Sequence, residues 1–299
     1  MTTIIINPIA GGVGPSAARD RAEVASAVVD RHGDRAEVFV TACGGHAREL
    51  AKAAVKRGAR LVVAWGGDGT INEVASALVF EEDAAMGIIP AGSGNGLARA
   101  LGIDVRPEQA LADALAAEPK PIDVGELGGR LFVNVAGIGF DAHVAVRFNA
   151  PDNRIRGLTG YALLTARALA SYAPQRYEIA TPNRRWSVRA LLIVIANGVE
   201  FGNRIRIAPQ ARVDDGALDL VVVEEQSRLT TLWNMRRLVT GSIEQAPIWT
   251  SQQVHDVSIE SETPMVFHVD GEPVVGGTHL HARIHAGALK ICAANGRQT

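Results

Sequence analysis

The sequence predicts an α/β domain built on a parallel sheet, residues 1–121, followed by a β-rich antiparallel domain, residues 122–299. Three observations predict this. Apolar, strand-like runs alternate with helix-periodic segments through about the first 120 residues, the pattern of βαβ units. Three of those strands break into glycine-rich loops that open helices. Beyond Pro119-Lys120-Pro121 the signals are mostly strands, as in antiparallel sheets.

Thr2 to Asn7 reads as the first strand and enters the loop Pro8-Ile9-Ala10-Gly11-Gly12-Val13-Gly14-Pro15. Ser16 is placed to cap a helix running to about His32. Ala36 to Thr41 is the second strand. His46 to Arg57 is a helix carrying Ala47, Leu50, Ala51, Ala54 and Val55 on one face, stopped by Gly58. Leu61 to Trp65 is a buried parallel strand that breaks into Gly66-Gly67-Asp68-Gly69. Thr70 and Glu73 are spaced as a capping box for the helix that follows. Met86 to Pro90 is a strand leading into Ala91-Gly92-Ser93-Gly94-Asn95-Gly96 and a short helix, Leu97 to Leu101. Pro107 to Ala117 is one more helix.

In the second domain Ile122 to Leu127, Gly128-Gly129 and Arg130 to Ala136 read as a hairpin. Leu158 to Tyr172 and Ser227 to Thr240 are helical. The remaining strands are Arg176 to Thr181, Trp186 to Ala196, Leu218 to Val223, Val254 to Ser261, Met265 to Val269, His279 to His285 and Leu289 to Cys292. The last of these has the option of packing back on the first domain.

Composition narrows the function classes. A net charge of −2 gives no footprint for nucleic acid. Cys43 and Cys292 form neither a metal-spacing motif nor a disulfide framework, which fits a reducing cytoplasm. The chain starts on the strand-like Thr2-Thr3-Ile4-Ile5-Ile6, with no signal-peptide pattern. No apolar stretch approaches the ~20 residues of a membrane span, so any lipid is met from the surface.

The loops Asn7 to Gly14, Gly66 to Thr70 and Gly92 to Gly96 belong at the carboxyl ends of parallel strands, where ligands of such sheets bind. Glycines let backbone N–H groups approach an anion, and the helix N-termini add positive charge. Together the loops predict a nucleotide site. None contains Gly-Lys-Ser/Thr, and Gly92 to Gly96 runs Gly-x-Gly-x-Gly rather than Gly-x-Gly-x-x-Gly. Asp68 is the odd residue. A carboxylate beside a phosphate repels it unless Mg²⁺ bridges the two or a proton must move.

Asn7-Pro8 with Gly11-Gly12, Gly66-Gly67-Asp68-Gly69-Thr70 and the string Pro90 to Arg99 resemble the diacylglycerol kinase catalytic domain. That superfamily includes bacterial lipid kinases, sphingosine kinases and ceramide kinases. Gly137-Ile138-Gly139-Phe140-Asp141-Ala142, the stretch Pro209 to Asp219 and Val269-Asp270-Gly271-Glu272 follow in the family's order. The resemblance implies an NAD kinase-like first domain, a β-rich second domain and an active site in the cleft between them. It implies an ATP- and Mg²⁺-dependent kinase acting on the hydroxyl of a lipid alcohol such as diacylglycerol. Asn7, Pro8, Gly11, Thr41, Gly66, Gly67, Asp68, Gly69, Thr70, Asn72, Gly92, Ser93 and Asn95 would hold ATP. Asp68 would support the phosphates or serve transfer directly, and Glu272 would be the general base. A structural Mg²⁺ would take Asp215 and the backbone carbonyls of Arg212 and Ala217. Expected partners are ATP and a lipid substrate, with peripheral contact at the inner face of a membrane and a homodimer as further expectations.

Plainer readings stand beside these. Asp270-Gly271 is a type I′ hairpin turn, indifferent to Glu272. Asp214-Asp215-Gly216 is an acidic turn. Ser93 and Asn95 can cap the helix after them, and Thr41 can end a strand. His279, His281 and His285 share one face of a strand with Arg283, and the absence of a carboxylate partner favours a solvated face over a metal. Asn95-Gly96 stands where many bacterial diacylglycerol kinases have Asn-Asp. His143 stands where sphingosine kinases have an acid for the substrate amine, which disfavours sphingosine. Leu158, Tyr161, Ala162, Leu164, Thr165 and Leu169, with Leu229, Leu232, Trp233, Met235 and Leu238, are candidates for a tail pocket or membrane face. Arg228, Arg236 and Arg237 would face anionic headgroups. The rival readings are an NAD kinase, which shares the Gly-Gly-Asp-Gly seat, and a non-catalytic nucleotide sensor.

Overall fold

The chain was studied as a computed structural model, which describes residues 1–12, 14, 17–150, 164–165, 167–169, 171–201, 205–240 and 242–294. At 149, 228, 232, 235, 236, 238 and 239 the backbone alone is described. The chain divides into two compact units. One comprises Met1–Asp123 with Gly287 onward, the other Val124–Ala286.

The first unit is a parallel sheet of β1 (Thr2–Ile6), β2 (Ala36–Val40), β3 (Leu61–Gly66) and β4 (Ala85–Pro90), in the order β2-β1-β3-β4. Thr2 lies opposite both Ala36 and Leu61, and Leu61 opposite Ala85. Five helices cover it: α1 (Ala17–Arg31), α2 (His46–Lys56), α3 (Asp68–Leu78), α4 (Gly96–Ala100) and α5 (Pro107–Ala116). Strand side chains alternate between two buried faces, which is why these strands read as continuous apolar runs. Ile4, Ile6, Val63, Trp65 and Ile89 pack with Ala25, Val28 and Val29 of α1 and with Ala110 and Leu111 of α5. Ile5, Val62, Ala64 and Ile88 alternate onto the opposite face, where α2 and α3 pack on each other and on the strands. The chain steps from β1 out to β2, then crosses back to β3 on the far side of β1. The order therefore reverses between β1 and β3, and the crevice at such a reversal, beyond the carboxyl ends of the strands, is where open α/β sheets bind ligands.

The second unit is antiparallel. Its strands are β5 (Lys120–Leu127), β6 (Arg130–Phe132), β7 (Val135–Gly139), β8 (Gln175–Thr181), β9 (Arg184–Ala196), β10 (Leu218–Glu224), β11 (Trp249–Val254), β12 (Asp256–Ser261), β13 (Val266–Val269), β14 (Glu272–Val275) and β15 (His279–Ile291). Pairing runs β14-β13-β7-β9-β8-β12-β15-β5-β6, with β10 and β11 branching from β9. β9 makes the branch because its two halves have different neighbours. Arg184 to Ala190 pair with β8, whereas Leu192 to Ala196 pair with β7. Ile193 and Ile195 enter a core with Phe132, Tyr177, Ile259 and Phe267. Leu192 and Val194 face the other way, into a cluster with Phe140, Leu169, Ile207 and Ile248. α6 (Phe140–Asn149) and α7 (Arg228–Thr240) belong to this unit.

Four expectations need correction. Arg130 to Ala136 is not one strand, because Val133 and Asn134 leave the ladder to meet a distant carboxylate described below. Val254 to Ser261 is split at His255, and the polar run Trp249 to Val254 forms its own strand. His279 to His285 and Leu289 to Cys292 are one strand, which continues through Gly287 at a φ of 62°. Its end returns to the first unit, where Ile291 pairs in parallel with Met86. α6 was not expected, since no helix was assigned between Ala136 and Leu158. Of the expected helix Leu158 to Tyr172, residues 164–165, 167–169 and 171 are helical. Leu158, Tyr161 and Ala162 lie outside the described residues, as does the expected cap Ser16.

Candidate active site

The three glycine loops of the first unit are fused into one seat. Asn7 follows β1, donates its amide to Thr70 Oγ1 at 2.9 Å and accepts Ile9 N–H at 3.1 Å. That joins the first loop to the start of α3. The second and third loops touch backbone to backbone: a Cβ on Gly92 would stand 2.7 Å from Gly67 Cα. No residue with a side chain fits there. Asn95 folds back on the third loop in a left-handed conformation, φ 56°. Its side chain accepts Gly92 N–H and donates to Gly92 O, both at 2.8 Å.

Asp68 binds the second loop to the third. Oδ2 accepts Asn95 N–H and Oδ1 accepts Gly96 N–H, each at 2.8 Å. The carboxylate thus caps α4, where unpaired N–H groups and the helix dipole favour a negative charge. Burial nevertheless pushes its pKa above the ordinary 3.8, while the N–H donors and the charge of Arg99 pull it back. This gives the acid among glycines a structural task that needs no ligand.

Thr70 and Glu73 do not form a capping box. The helix begins two residues earlier, at Asp68, so Thr70 is buried in its first turn and holds Asn7. Glu73 reaches to another helix, accepting Gly45 N–H at 2.8 Å and Ala47 N–H at 3.0 Å at the start of α2. Asn72 is buried within α3 and accepts from Ser76 Oγ at 3.3 Å. Thr41 follows β2, its N–H donating to Ile6 O at 2.9 Å, and Ser93 is exposed at the tip of the third loop. Pro8 and Gly11 lie in the first loop, steadied by a residue the sequence did not single out. Arg21 of α1 donates to Asn7 O and to Ala10 O (2.8 Å), and lies 5.9 Å from the Trp65 ring centre. Its position on an ordinary charged helix face gave no sign of this.

The second unit holds Glu272 at the first position of β14. Asp270 and Gly271, at φ 48° and 87°, form the left-handed turn the sequence suggested, with Val269 paired to Glu272. Asp270 does more than turn. Its Oδ2 accepts Val133 N–H at 2.9 Å, and its Oδ1 accepts Asn134 and Val135 N–H at 3.0 Å. Those donors are the break between β6 and β7. Beneath the turn lies a buried pair, His268 Nε2 and Asp141 Oδ2, 3.1 Å apart. His268 was not among the sequence candidates, because a histidine inside an apolar strand carries no motif.

At the expected metal site, Asp215 Oδ1 accepts Ala217 N–H at 3.1 Å and Oδ2 accepts Gln253 Nε2 at 3.0 Å. Arg212 directs its guanidinium to Asp214 at 3.3 Å, leaving its carbonyl as the group of interest. Asp219 joins the site. Burial raises its pKa, a bond from Ser251 lowers it, and the charge of Asp215 raises it further. In donor type, carboxylates and backbone carbonyls suit a hard divalent cation. Among the described residues, no cluster of three or more His, Cys, Asp or Glu could hold a metal.

The histidines of β15 do have carboxylate partners, contrary to expectation. His281 meets Asp256 at 2.6 Å, His285 meets Glu126 at 2.8 Å, and His279 meets Glu260 at 3.7 Å. Arg283 shares Glu126 at 2.9 Å. The partners come from neighbouring strands far away in sequence, so spacing could not reveal them.

The doubly wound sheet with its fused glycine loops, joined to an antiparallel β unit, is the architecture of the NAD kinase-like kinases. Residues 1–127 match the diacylglycerol kinase catalytic domain, and residues 134–293 match the YegS C-terminal NAD kinase beta sandwich-like domain. The chain is 35% identical over 283 residues to a Chromohalobacter salexigens protein named "Probable lipid kinase YegS-like", covering 92% of this chain and 89% of that one. A protein of the same name from Pseudomonas aeruginosa is 32% identical, with 93% and 91% covered. Among solved structures, a diacylglycerol kinase from Bacillus anthracis superposes with a TM-score of 0.75 at 20% identity, covering 98% of this chain and 96% of that one. Yeast NADH kinase in complex with NADH superposes at 0.56, with 10% identity, 99% and 84% covered. The chain belongs to the YegS-like lipid kinase family, within the diacylglycerol kinase catalytic domain group.

Proposed function

We propose that the protein is an ATP-dependent kinase that phosphorylates the hydroxyl of a lipid alcohol such as diacylglycerol. The fused seat carries this reading: three glycine loops at the switch point of the sheet, with the N-termini of α3 and α4 beside them. Asn7, Pro8, Gly11, Thr41, Gly66 to Thr70, Asn72, Gly92, Ser93 and Asn95 would bind ATP. Backbone N–H groups would meet the phosphates, and Arg21 would hold the first loop in shape. Mg²⁺, when bound, would neutralise charge on the phosphates and on the carboxylates of Asp68 and Asp215. Glu272 would take the proton from the acceptor hydroxyl. Phosphoryl transfer requires little covalent help, so positioning and one base are sufficient chemistry.

Burial, with the charge of Arg147, lowers the pKa of His143, which disfavours pairing with the ammonium of sphingosine. Lipid would be met from the surface, and no described helix is long and apolar enough to cross a membrane. Leu229 and Trp233, 81% and 59% exposed, sit four residues apart on α7 and would enter the interface. The side chains of Arg228, Leu232, Met235, Arg236 and Leu238 lie outside what is described.

The test is incubation with radiolabelled ATP and total lipid extract, with NAD as a parallel acceptor. A labelled lipid is expected. Label in NADP would establish the NAD kinase reading instead, and tight ATP binding without turnover on any acceptor would mark a sensor.

A further inference from the structure

We propose that Asp141 and His268 are positioning residues for phosphoryl transfer, fixing the turn that presents Glu272. This rests on the reading of Glu272 as the base. The pair is buried, with Asp141 7% and His268 4% exposed, so neither reaches a substrate. It is nonetheless linked to the turn. Gly271 N–H, adjacent to Glu272, donates to His268 Nδ1 at 3.3 Å. A ring nitrogen that accepts has no proton, so the ring's hydrogen sits on Nε2. That hydrogen is donated to Asp141 Oδ2 at 3.1 Å. Asp141 Oδ1 in turn accepts Ala142 N–H at 2.8 Å, in the first turn of α6, where a helix favours an acid. The relay runs from the start of α6 through carboxylate and imidazole to the backbone beside Glu272. The hydrogen bond on one ring nitrogen sets the proton on the other.

Space has been made for this relay. A Cβ on Gly137 would lie 1.7 Å from Asp141 Oδ2 and 2.7 Å from His268 Nε2. Gly137 lies opposite His268 across the β7–β13 ladder, so the pair occupies the room that any side chain there would fill. Asp270 holds the same turn from its other side through the backbone of Val133 to Val135. Glu272 is therefore presented by a turn fastened twice, once through each residue before it. A base displaced by about 1 Å loses on the order of 10²-fold in rate.

The experiment measures kcat and KM for ATP in wild type, Glu272→Gln, Asp141→Asn, His268→Ala, His268→Asn and Asp141→Asn/His268→Asn, with ¹⁵N spectra of the histidine ring. Asn offers an oxygen near the place of Nδ1 and can accept Gly271 N–H without Asp141. Expected are an inactive Glu272→Gln and a loss of about 10–100-fold in kcat at unchanged KM in His268→Ala and Asp141→Asn. His268→Asn should recover most of kcat, and adding Asp141→Asn to it should cost nothing more. The ring should be Nε2-protonated in wild type and a tautomer mixture in Asp141→Asn, a readout that a merely structural role would not move. Wild-type kcat in folded Asp141→Asn and His268→Ala, with Glu272→Gln inactive, would overturn the relay alone. An active Glu272→Gln would overturn the base and the relay together.

Discussion

Asp68 and Asn95 lie 27 residues apart, yet the carboxylate of one accepts the backbone N–H of the other at 2.8 Å. The same carboxylate accepts Gly96 N–H, so the second and third loops of the seat share one anchor. The residue proposed to serve the phosphates also holds their cradle together.

Asp68→Ala should therefore fail twice. Phosphoryl transfer should be lost, and the two N–H groups left without an acceptor should cost about 1–3 kcal/mol of stability. Asp68→Asn keeps an oxygen for one of them and should recover part of the stability without the activity. Urea melts beside a labelled-ATP assay separate the two effects.

The raised pKa of Asp68 has a sign that can be followed. Its folded carboxyl holds the proton more tightly than the unfolded chain, whose value is near the ordinary 3.8. Between those two values the folded state binds more protons, so stability falls as pH rises through that window. Melts in small steps from about pH 4 upward should show this slope, and Asp68→Asn should flatten it. Where the ionised form serves transfer, the acid limb of kcat should move upward from 3.8, and the direction of that move is what the pH profile checks.

Glu73→Ala should leave the start of α2 uncapped, because Gly45 and Ala47 lose their acceptor. A loss of about 0.5–2 kcal/mol is expected, with turnover retained in the folded fraction. Thermal melts measure the first and the kinase assay the second. A cap confined to Glu73's own helix would not alter amide exchange at residues 45–47, whereas this one should.

Gly92→Ala should be tolerated poorly. Its methyl would meet Gly67 Cα at 2.7 Å and Asn95 Oδ1 at 2.9 Å, and the first of these is backbone that cannot rotate away. The expected cost is about 1–3 kcal/mol, with weaker ATP binding by titration calorimetry. Gly12→Ala meets nothing within 4 Å, though its φ of 74° strains any side chain, and should affect nucleotide binding less.

Asp215→Asn tests the metal. Wild type should gain thermal stability in Mg²⁺ by mass action, about 2.7 kcal/mol at a hundredfold excess over the dissociation constant. The variant should gain less, and chelator should bring the two together. Equal melting of both proteins at every Mg²⁺ concentration would remove the cation from this turn.

The sequence revealed what short-range chemistry specifies. The apolar runs of β1, β3 and β4, the glycines after them and the Asp270-Gly271 turn each announce themselves within a few residues. Groups that work across distance were hidden. Glu73 looked like a local cap because a capping box is a spacing, but its partners are 26 and 28 residues away. Arg21 sits on a helix that reads as ordinary amphipathic surface. His268 and Asp141 are 127 residues apart, and each alone reads as a core exception or a motif letter. The histidines of β15 looked unpartnered because pairing across strands leaves no trace in spacing.

The three letters Asp270-Gly271-Glu272 answer to three separate demands. The first ties a broken strand, the second supplies a bend and a donor, and only the third is proposed for chemistry. A descendant that gave up its reaction would still be obliged to keep the opening two, while the glutamate drifted. On the proposed role of Glu272, a partial match to these letters would enrol such retired enzymes alongside working ones, and the final letter would tell the two apart.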